Sequence, residues 1–217
     1  MKVTVKIKWL GHSCFLVTSS EGVKILTDPF DEQVGYEVPS EEADIVTTSH
    51  DHYDHNYIKA VKGNFVHIKE PGTYSEHGID IKGVATFHDE AGGKKRGKNV
   101  VYKFNVDGIE VCHCGDLGHI PAPGQVEEIG RVDVLLLPVG GNYTVDAKEA
   151  FEVAKLLKPA VIIPMHFKTD DNDFPIDGVD KFVAVAGGGE RAGKQEVEFT
   201  RENIGSMPPV LILEYKG

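Results

Sequence analysis

With 217 residues, 41% hydrophobic and 26% charged, the chain has the make-up of an ordinary soluble globular protein, and residues 1–217 are expected to form a single domain. Its 34 acidic and 23 basic residues leave a net charge of −11, which argues against a non-specific hold on nucleic acid, because that hold comes from neutralising phosphates. No apolar run approaches the ~20 residues of a membrane span, and residues 1–8 alternate as a strand does instead of forming an apolar leader, so the cytoplasm is the expected location.

Strands are expected over residues 2–10, 14–19 and 23–28, the last two joined by the turn signal Ser19-Ser20-Glu21-Gly22. Gly11-His12-Ser13 falls between the first two. An imidazole at His12 could act as the acid for a leaving group, or be a hydrogen-bonded structural histidine. Asp28 ends the third strand ahead of Pro29, where local sequence alone suits a turn cap.

The β-branched stretch 43–49 reads as a strand that delivers His50-Asp51-His52-Tyr53-Asp54-His55 to a sheet edge. Three imidazoles and two carboxylates in six residues are hard to explain as surface decoration. In an extended segment residues i and i+2 point the same way, so His50 and His52 can grip one ion. Asp54 and His55 fall at the following turn and more naturally serve a second ion. Imidazole and carboxylate donors suit zinc, with manganese, nickel or iron as alternatives. A short helix is expected over residues 56–62, stopped by Gly63.

Beyond the motif, residues 64–68 look like a strand and residues 73–87 like a hairpin turning at His77-Gly78. His67 and His77 have no partners in the motif logic and count as ordinary strand or turn histidines, whereas His88 ends a strand in the chemically loaded run His88-Asp89-Glu90. Lys94, Lys95, Arg96 and Lys98 follow Gly92-Gly93 in a loop that is either a solvated turn or a mobile flap steering an anion. A second hairpin spans residues 99–114 around Asp107-Gly108 and places Gly115-Asp116 at its end. His113 and His119 compete with His88 for the part of third imidazole. Three cysteines, Cys14, Cys112 and Cys114, cannot all pair and read as small buried residues.

Residues 132–138 form a buried strand opening into Gly140-Gly141-Asn142-Tyr143-Thr144. There Asn142 and Tyr143 could donate hydrogen bonds to a substrate, or the glycines could simply make a tight turn. Asp146 with Glu149 makes a capping box for a helix whose stripe is Ala147, Ala150, Phe151, Ala154 and Leu157 and whose end is marked by Pro159. The strand 160–163 then delivers His166, with Lys168 near the mouth of the site as either an anion partner or a surface lysine. The tail offers a short helix over 177–185 and strands over 195–200 and 210–215.

His50-Asp51-His52-Tyr53-Asp54-His55 resembles the His-x-His-x-Asp-His motif of the metallo-β-lactamase superfamily of metal-dependent hydrolases. That family also uses a downstream His, a bridging Asp and a last His, which the resemblance assigns to His88, Asp116 and His166. Trp9-Leu10-Gly11-His12-Ser13 and Gly140-Gly141-Asn142-Tyr143-Thr144 look most like the small stand-alone branch that includes ascorbate-6-phosphate lactonase. The resemblance implies an α+β fold, the four-layer αββα sandwich, with metals along one edge. It also gives Asp28 a supporting role, holding an imidazole by its other nitrogen.

The activity implied is that of a dinuclear hydrolase, zinc first, with one ion on His50, His52 and His88, a second on Asp54, His55 and His166, and Asp116 between them. A metal-bridging hydroxide would cleave an ester, lactone or phosphodiester bond in a small anionic substrate, and Asp54 could also orient the nucleophile or pass a proton. The alternatives are an iron-dependent oxidoreductase on the same fold and an RNA-processing nuclease, the latter disfavoured by the acidic balance. A homo-oligomer stays open.

Overall fold

The computed structural model describes residues 3–216, so the start of the first expected strand at Lys2 lies outside the described residues. Alternation shapes the opening of the chain: β1 (Val5–Gly11) buries Val5, Ile7 and Trp9 and leaves Lys6 in solvent. Then come β2 (Cys14–Thr18), β3 (Lys24–Thr27), β4 (Ile45–Thr47) and β5 (Val66–Ile68). The next segment holds the two hairpins, β6 (Gly72–Glu76) with β7 (Ile79–Phe87) and β8 (Lys98–Val106) with β9 (Ile109–His113). Their turns, His77-Gly78 and Asp107-Gly108, carry positive φ at both residues (51° and 78°, 52° and 77°), the backbone that matches strand twist in a two-residue hairpin.

Strand and helix then alternate through α1 (Pro123–Ile129), β10 (Val134–Pro138), α2 (Ala147–Leu157), β11 (Val161–Met165) and α3 (Val179–Ala186). The tail adds β12 (Glu190–Arg191), β13 (Glu196–Phe199) and β14 (Leu211–Ile212).

Two six-stranded sheets result, ordered β13-β1-β2-β3-β4-β5 and β11-β10-β9-β8-β7-β6, and this is the expected α+β sandwich. Val5, Ile7, Trp9, Phe15, Val17 and Ile25 of the first sheet join Ile81, Val101, Phe104, Val111 and Leu136 of the second in one core. The opposite face of the first sheet has a smaller core of its own, in which Leu10, Leu16, Leu26 and Val46 meet Phe30, Val34 and Tyr36. The helical layer is full only over the second sheet, where α1 packs on β7, and α2 on β10 and α3. Over the first sheet it is thinned to coil with single 3-10 turns at Glu32–Val34 and Ile58–Ala60.

That second turn replaces the helix expected over residues 56–62. The backbone N–H groups of Tyr57 and Lys62 go instead to Pro29 O (2.7 Å) and Glu41 O (2.9 Å), and Val61 is extended. Asp146 and Glu149 form the expected capping box on α2, but the stripe buries Val153 and leaves Phe151 only half-buried. Helix α1, with proline at its first position, was not foreseen. Of the strand expected over 210–215 only β14 forms, and it pairs with β12 outside both large sheets. Among the described residues no helix is long and apolar enough to cross a membrane.

Strand direction decides where the chemistry goes. Two antiparallel steps make β1 parallel to β3, and β4 is parallel to β3; in the other sheet β7, β9, β10 and β11 likewise run one way. The carboxyl ends of β1, β3, β4, β7, β9 and β11 lead into His12, Asp28, His50, His88, Asp116 and His166 respectively. Six distant segments thereby present their polar residues along one rim of the sandwich.

Candidate metal centre

The loop after β4 is built on Asp28, which is fully buried and sits at φ 43°. Its carboxylate accepts from Ser49 N (2.7 Å), Ser49 Oγ (2.6 Å) and His55 Nδ1 (2.8 Å). Burial alone would push this carboxyl up, but the charges of His113 and His55 and the His55 hydrogen bond hold it below its ordinary range, so it acts only as an acceptor. Because the Ser49 hydroxyl is spent on Asp28, Ser49 Oγ accepts from His50 Nδ1 at 3.0 Å. Both His50 and His55 therefore donate from Nδ1 and turn Nε2 inward, and neither Nε2 has a hydrogen-bond partner.

Asp116 is placed by Asn99, which sequence reasoning missed. The buried Asn99 amide accepts from Asp116 N (3.0 Å) through its oxygen and donates to Cys114 O (3.0 Å) and Thr86 Oγ1 (2.8 Å). Its only advance signal was a polar residue at the start of a hydrophobic strand. The intervening Gly115 has φ 55°, and a Cβ there would lie 2.4 Å from Ser49 Cβ and 2.5 Å from Asn99 Oδ1, so the loops carrying His50 and Asp116 meet across a glycine.

The Asp116 carboxylate then stands between two groups of imidazoles. Oδ2 is 3.3 Å from His88 Nε2 and 3.4 Å from His166 Nε2, and Oδ1 is 3.2 Å from His55 Nε2. Asp54 Oδ2 lies 3.6 Å from His55 Nε2. The solvent-exposed His52 closes the other side, its ring 4.5 Å from that of His50 and 5.3 Å from that of His88. Donor atoms fall into three sets whose members lie within 4.8 Å of one another: His50, His52 and His88; His12, Asp54, His55 and His166; and His50, His55 and Asp116.

Electrostatically this is a cavity for positive charge. Burial would lower the His55 pKa, yet Asp116, Asp54 and Asp28 together raise it well above the ordinary value. Asp116 is held well below its ordinary range by His166 and His55 although burial opposes this, and Asp54 is lowered in the same way, chiefly by His55. Burial, reinforced by the His55 charge, takes His50 down to about 3. His50 Nε2, His55 Nε2 and Asp116 Oδ1 are buried without partners. Leaving such atoms unsatisfied costs about 1–3 kcal/mol each, and nitrogen and carboxylate donors converging in this way fit divalent metal ions.

The competing histidines are accounted for structurally. His113, fully buried, has its Nε2 2.7 Å from Ser13 O and accepts from Gly115 N through Nδ1 at 3.2 Å; His119 accepts from Phe87 N at 3.2 Å. His67 bonds Thr48 Oγ1, and all three cysteines are buried and free. Neither a cysteine nor any of these histidines belongs to a metal-competent set among the described residues.

A cleft of about 320 Å³ opens over the rim, lined by His52, Tyr53, Asp54, His88, Arg96, Asp116, Tyr143, His166 and Phe174. Tyr143 is present, while Asn142 sits exposed at the turn with φ 61° and lends only its carbonyl, which accepts from Arg96 Nη2 at 2.9 Å. Lys168 is not in the lining: its ammonium donates to Asn172 O and lies 3.8 Å from Asp173, so it is tied to its own loop. The cation of the cleft is Arg96, whose guanidinium stands 5.5 Å from the centre of the Tyr143 ring.

The basic loop is not a free flap. The Asp89 carboxylate, 1% exposed, accepts from the N–H groups of Ala91 (2.8 Å), Gly93 (2.9 Å), Lys95 (2.9 Å) and Arg96 (2.7 Å). Burial pushes this carboxyl up, but the four donors bring it down to about 2. An aspartate beside His88 thus organises the loop that carries Arg96.

Residues 6–166 match the family described as the beta-lactamase superfamily domain. A metal-dependent hydrolase of Thermoplasma acidophilum is 31% identical over 193 residues, spanning 77% of this chain and 85% of the relative. A crystal structure from Thermotoga maritima, described as that of a proposed Zn-dependent hydrolase of the metallo-β-lactamase superfamily, is 47% identical with a TM-score of 0.82, covering 97% of this chain and 98% of that one. A metallo hydrolase of Ignicoccus hospitalis, at 24% identity and a TM-score of 0.66 over 90% of this chain and 98% of its own, is alike in fold alone.

Proposed function

The chain belongs to the beta-lactamase superfamily and is a metal-dependent hydrolase, and from that premise we propose that it is a dinuclear enzyme opening an ester, lactone or phosphodiester bond in a small anionic substrate. The observation that carries the reading is the position of Asp116, with His88 against Oδ2 on one side and His55 against Oδ1 on the other. His50, His52 and His88 would hold one ion and Asp54, His55 and His166 the other, with the Asp116 carboxylate between the two groups. Bound there, two such ions would supply a hydroxide at neutral pH, by lowering the pKa of water from ~15.7 toward ~7, and a Lewis acid for the developing oxyanion.

The remaining work falls to the protein. Asp28 and Ser49 hold His50 and His55 in the tautomer that leaves Nε2 bare. Asn99 fixes the Asp116 backbone. Asp54, ionised and lining the cleft, can orient a nucleophile by accepting a hydrogen bond from it. Arg96 meets the anionic part of the substrate, and Tyr53, Tyr143 and Phe174 enclose its apolar part.

A cleft of about 320 Å³ is at the low end of ligand sites, which run about 300–1,000 Å³. Together with the net charge of −11 this favours a small molecule over a polynucleotide. His12 does not line the cleft, and burial and the charge of His166 lower it to about 4, so it is poorly suited to be the leaving-group acid.

Metal analysis of protein purified without chelator, alongside hydrolysis of a generic phosphodiester and a panel of lactones, tests the reading. Two equivalents of zinc, manganese or nickel are expected, with turnover that disappears in His50→Ala. Two equivalents of iron with no hydrolysis would move the assignment to the oxidoreductase class.

A further inference from the structure

His12 is left without a task by these assignments, yet the fold goes to some length to aim it. It occupies the β1–β2 turn at φ 51° behind Gly11 at φ 103°, and is 1% exposed. A non-glycine residue in the left-handed region is strained and persists only where its surroundings impose it. The constraint is visible: the His12 carbonyl accepts from Trp9 Nε1 (3.0 Å) and from His166 N (3.2 Å), and His166 is itself at φ 51°. No Cβ fits at Gly11, because it would stand 2.6 Å from Tyr36 Cγ. Two strained histidine turns from opposite sheets are thus clamped to each other.

The clamp points the His12 ring at one target. Nε2 lies 3.4 Å from Asp54 Oδ2, and the ring centre is 4.2 Å from that of His166 and 5.1 Å from that of His55. Phe174 stacks on it at 5.2 Å and Phe30 meets it edge-on at 6.4 Å. Neither ring nitrogen has a well-aligned hydrogen-bond partner, Asp54 included. Buried imidazoles with a structural role bond through their nitrogens, as His113 does to Ser13 O and Gly115 N; His12 does not. Its donor atom lies within 4.8 Å of those of Asp54, His55 and His166. Donors sharing an ion at about 2.1 Å cannot be more than about 4.2 Å apart, so adjustments of a few tenths of an ångström bring the four together.

We propose that His12 is a fourth protein ligand, beyond the superfamily motif, of the ion held by Asp54, His55 and His166; this rests on the dinuclear reading above. The two ions are then unequal. One has four protein ligands beside Asp116, deep in the sandwich, whereas the other depends on the exposed His52. The deep ion therefore binds first and is the last to be removed.

The test is titration of metal-stripped protein with Zn²⁺ and with Co²⁺ against a chromophoric chelator, for wild type, His12→Ala, the more volume-conserving His12→Gln, and His52→Ala as the control for the outer ion. Circular dichroism of each variant verifies folding. Wild type should take two ions of different affinity. His12→Ala and His12→Gln should weaken the tighter one by at least about tenfold, the scale on which even indirect ligand support acts. They should leave the weaker ion unchanged and alter the visible Co²⁺ bands, while His52→Ala weakens only the second ion. Folded His12 variants with both affinities and the Co²⁺ spectrum unchanged would overturn the proposal while leaving the dinuclear reading standing. A wild-type protein that takes one ion overturns the dinuclear reading instead, and the His12 assignment is then judged on whether that ion weakens in His12→Ala.

Discussion

Replacing Asp28 by Asn keeps the size of the side chain and removes its ability to accept at both oxygens. Those oxygens serve Ser49 N (2.7 Å), Ser49 Oγ (2.6 Å) and His55 Nδ1 (2.8 Å), all buried. An amide nitrogen in the place of Oδ1 faces the Ser49 N–H, and in the place of Oδ2 it faces the Ser49 hydroxyl and His55. Either way a donor meets a donor, unless the hydroxyl rotates and His55 moves its proton to Nε2. A charge-assisted hydrogen bond contributes about 1.5–3 kcal/mol and a stranded buried donor costs about 1–3 kcal/mol, so a net loss of about 2–4 kcal/mol follows. For a chain of this size that is a fall in Tm on the order of 5–15 °C.

The tautomer change has the larger functional effect, because a protonated Nε2 offers no lone pair. The ion on Asp54, His55 and His166 should weaken by about 10–100-fold, the usual scale for losing the partner that orients a metal-binding imidazole. Thermal melts of metal-stripped protein measure the first effect and chelator competition the second. An Asp28→Asn protein that melts within about 2 °C of wild type and keeps both affinities would refute the orienting role.

In the cleft, Arg96→Gln should raise KM for an anionic substrate about tenfold or more, and leave neutral esters little changed; Lys168→Met should leave both alone, since that ammonium is bound to Asn172 O. Equal effects of the two substitutions in steady-state assays would contradict the placement of Arg96. The metal-stripped protein should also lose stability on mild acidification. His12 and His50 have folded-state pKa values of about 4 and about 3, below the 6.5 of the unfolded chain, so below pH 6.5 the unfolded state takes up protons that the folded state refuses. Each adds a slope of at most ~1.4 kcal/mol per pH unit, fading near pH 4 and pH 3 respectively. His55 works in the opposite sense: its raised pKa keeps it protonated in the folded state while the unfolded imidazole titrates near 6.5, so its contribution is complete only below that pH and is lost on the alkaline side. Urea unfolding at pH 7, 6 and 5 with no change in stability would show that His12 and His50 are not held neutral.

Much of the site was legible because its residues announce themselves by kind and spacing. His50, His52, Asp54 and His55 are close together in the chain, so strand and turn geometry alone brought them near one another. The structure brings His88, Asp116 and His166 to the same rim. The helix over 56–62 failed for the converse reason. Its N–H groups were claimed by Pro29 and Glu41, partners more than twenty residues away that a local pattern does not see. Lys168 and Arg96 illustrate the same limit. Both are cations close to ligand residues, and only the loop bonds made by Asn172 and by Asp89 turn one away from the cleft and the other into it.

The sequence by itself determined the donor types, the alternation of the strands, the two hairpin turns and the capping box of α2. All of these depend on chemistry within a few residues, where covalent geometry sets the distances. Tertiary structure alone decided that Asn99 places Asp116, that Asp89 shapes the Arg96 loop, and that His12 faces Asp54 and His166 instead of solvent. Those outcomes depend on parallel strands from two sheets ending at one rim, and on buried polar groups that must find partners from whichever segment folding has brought within about 3 Å.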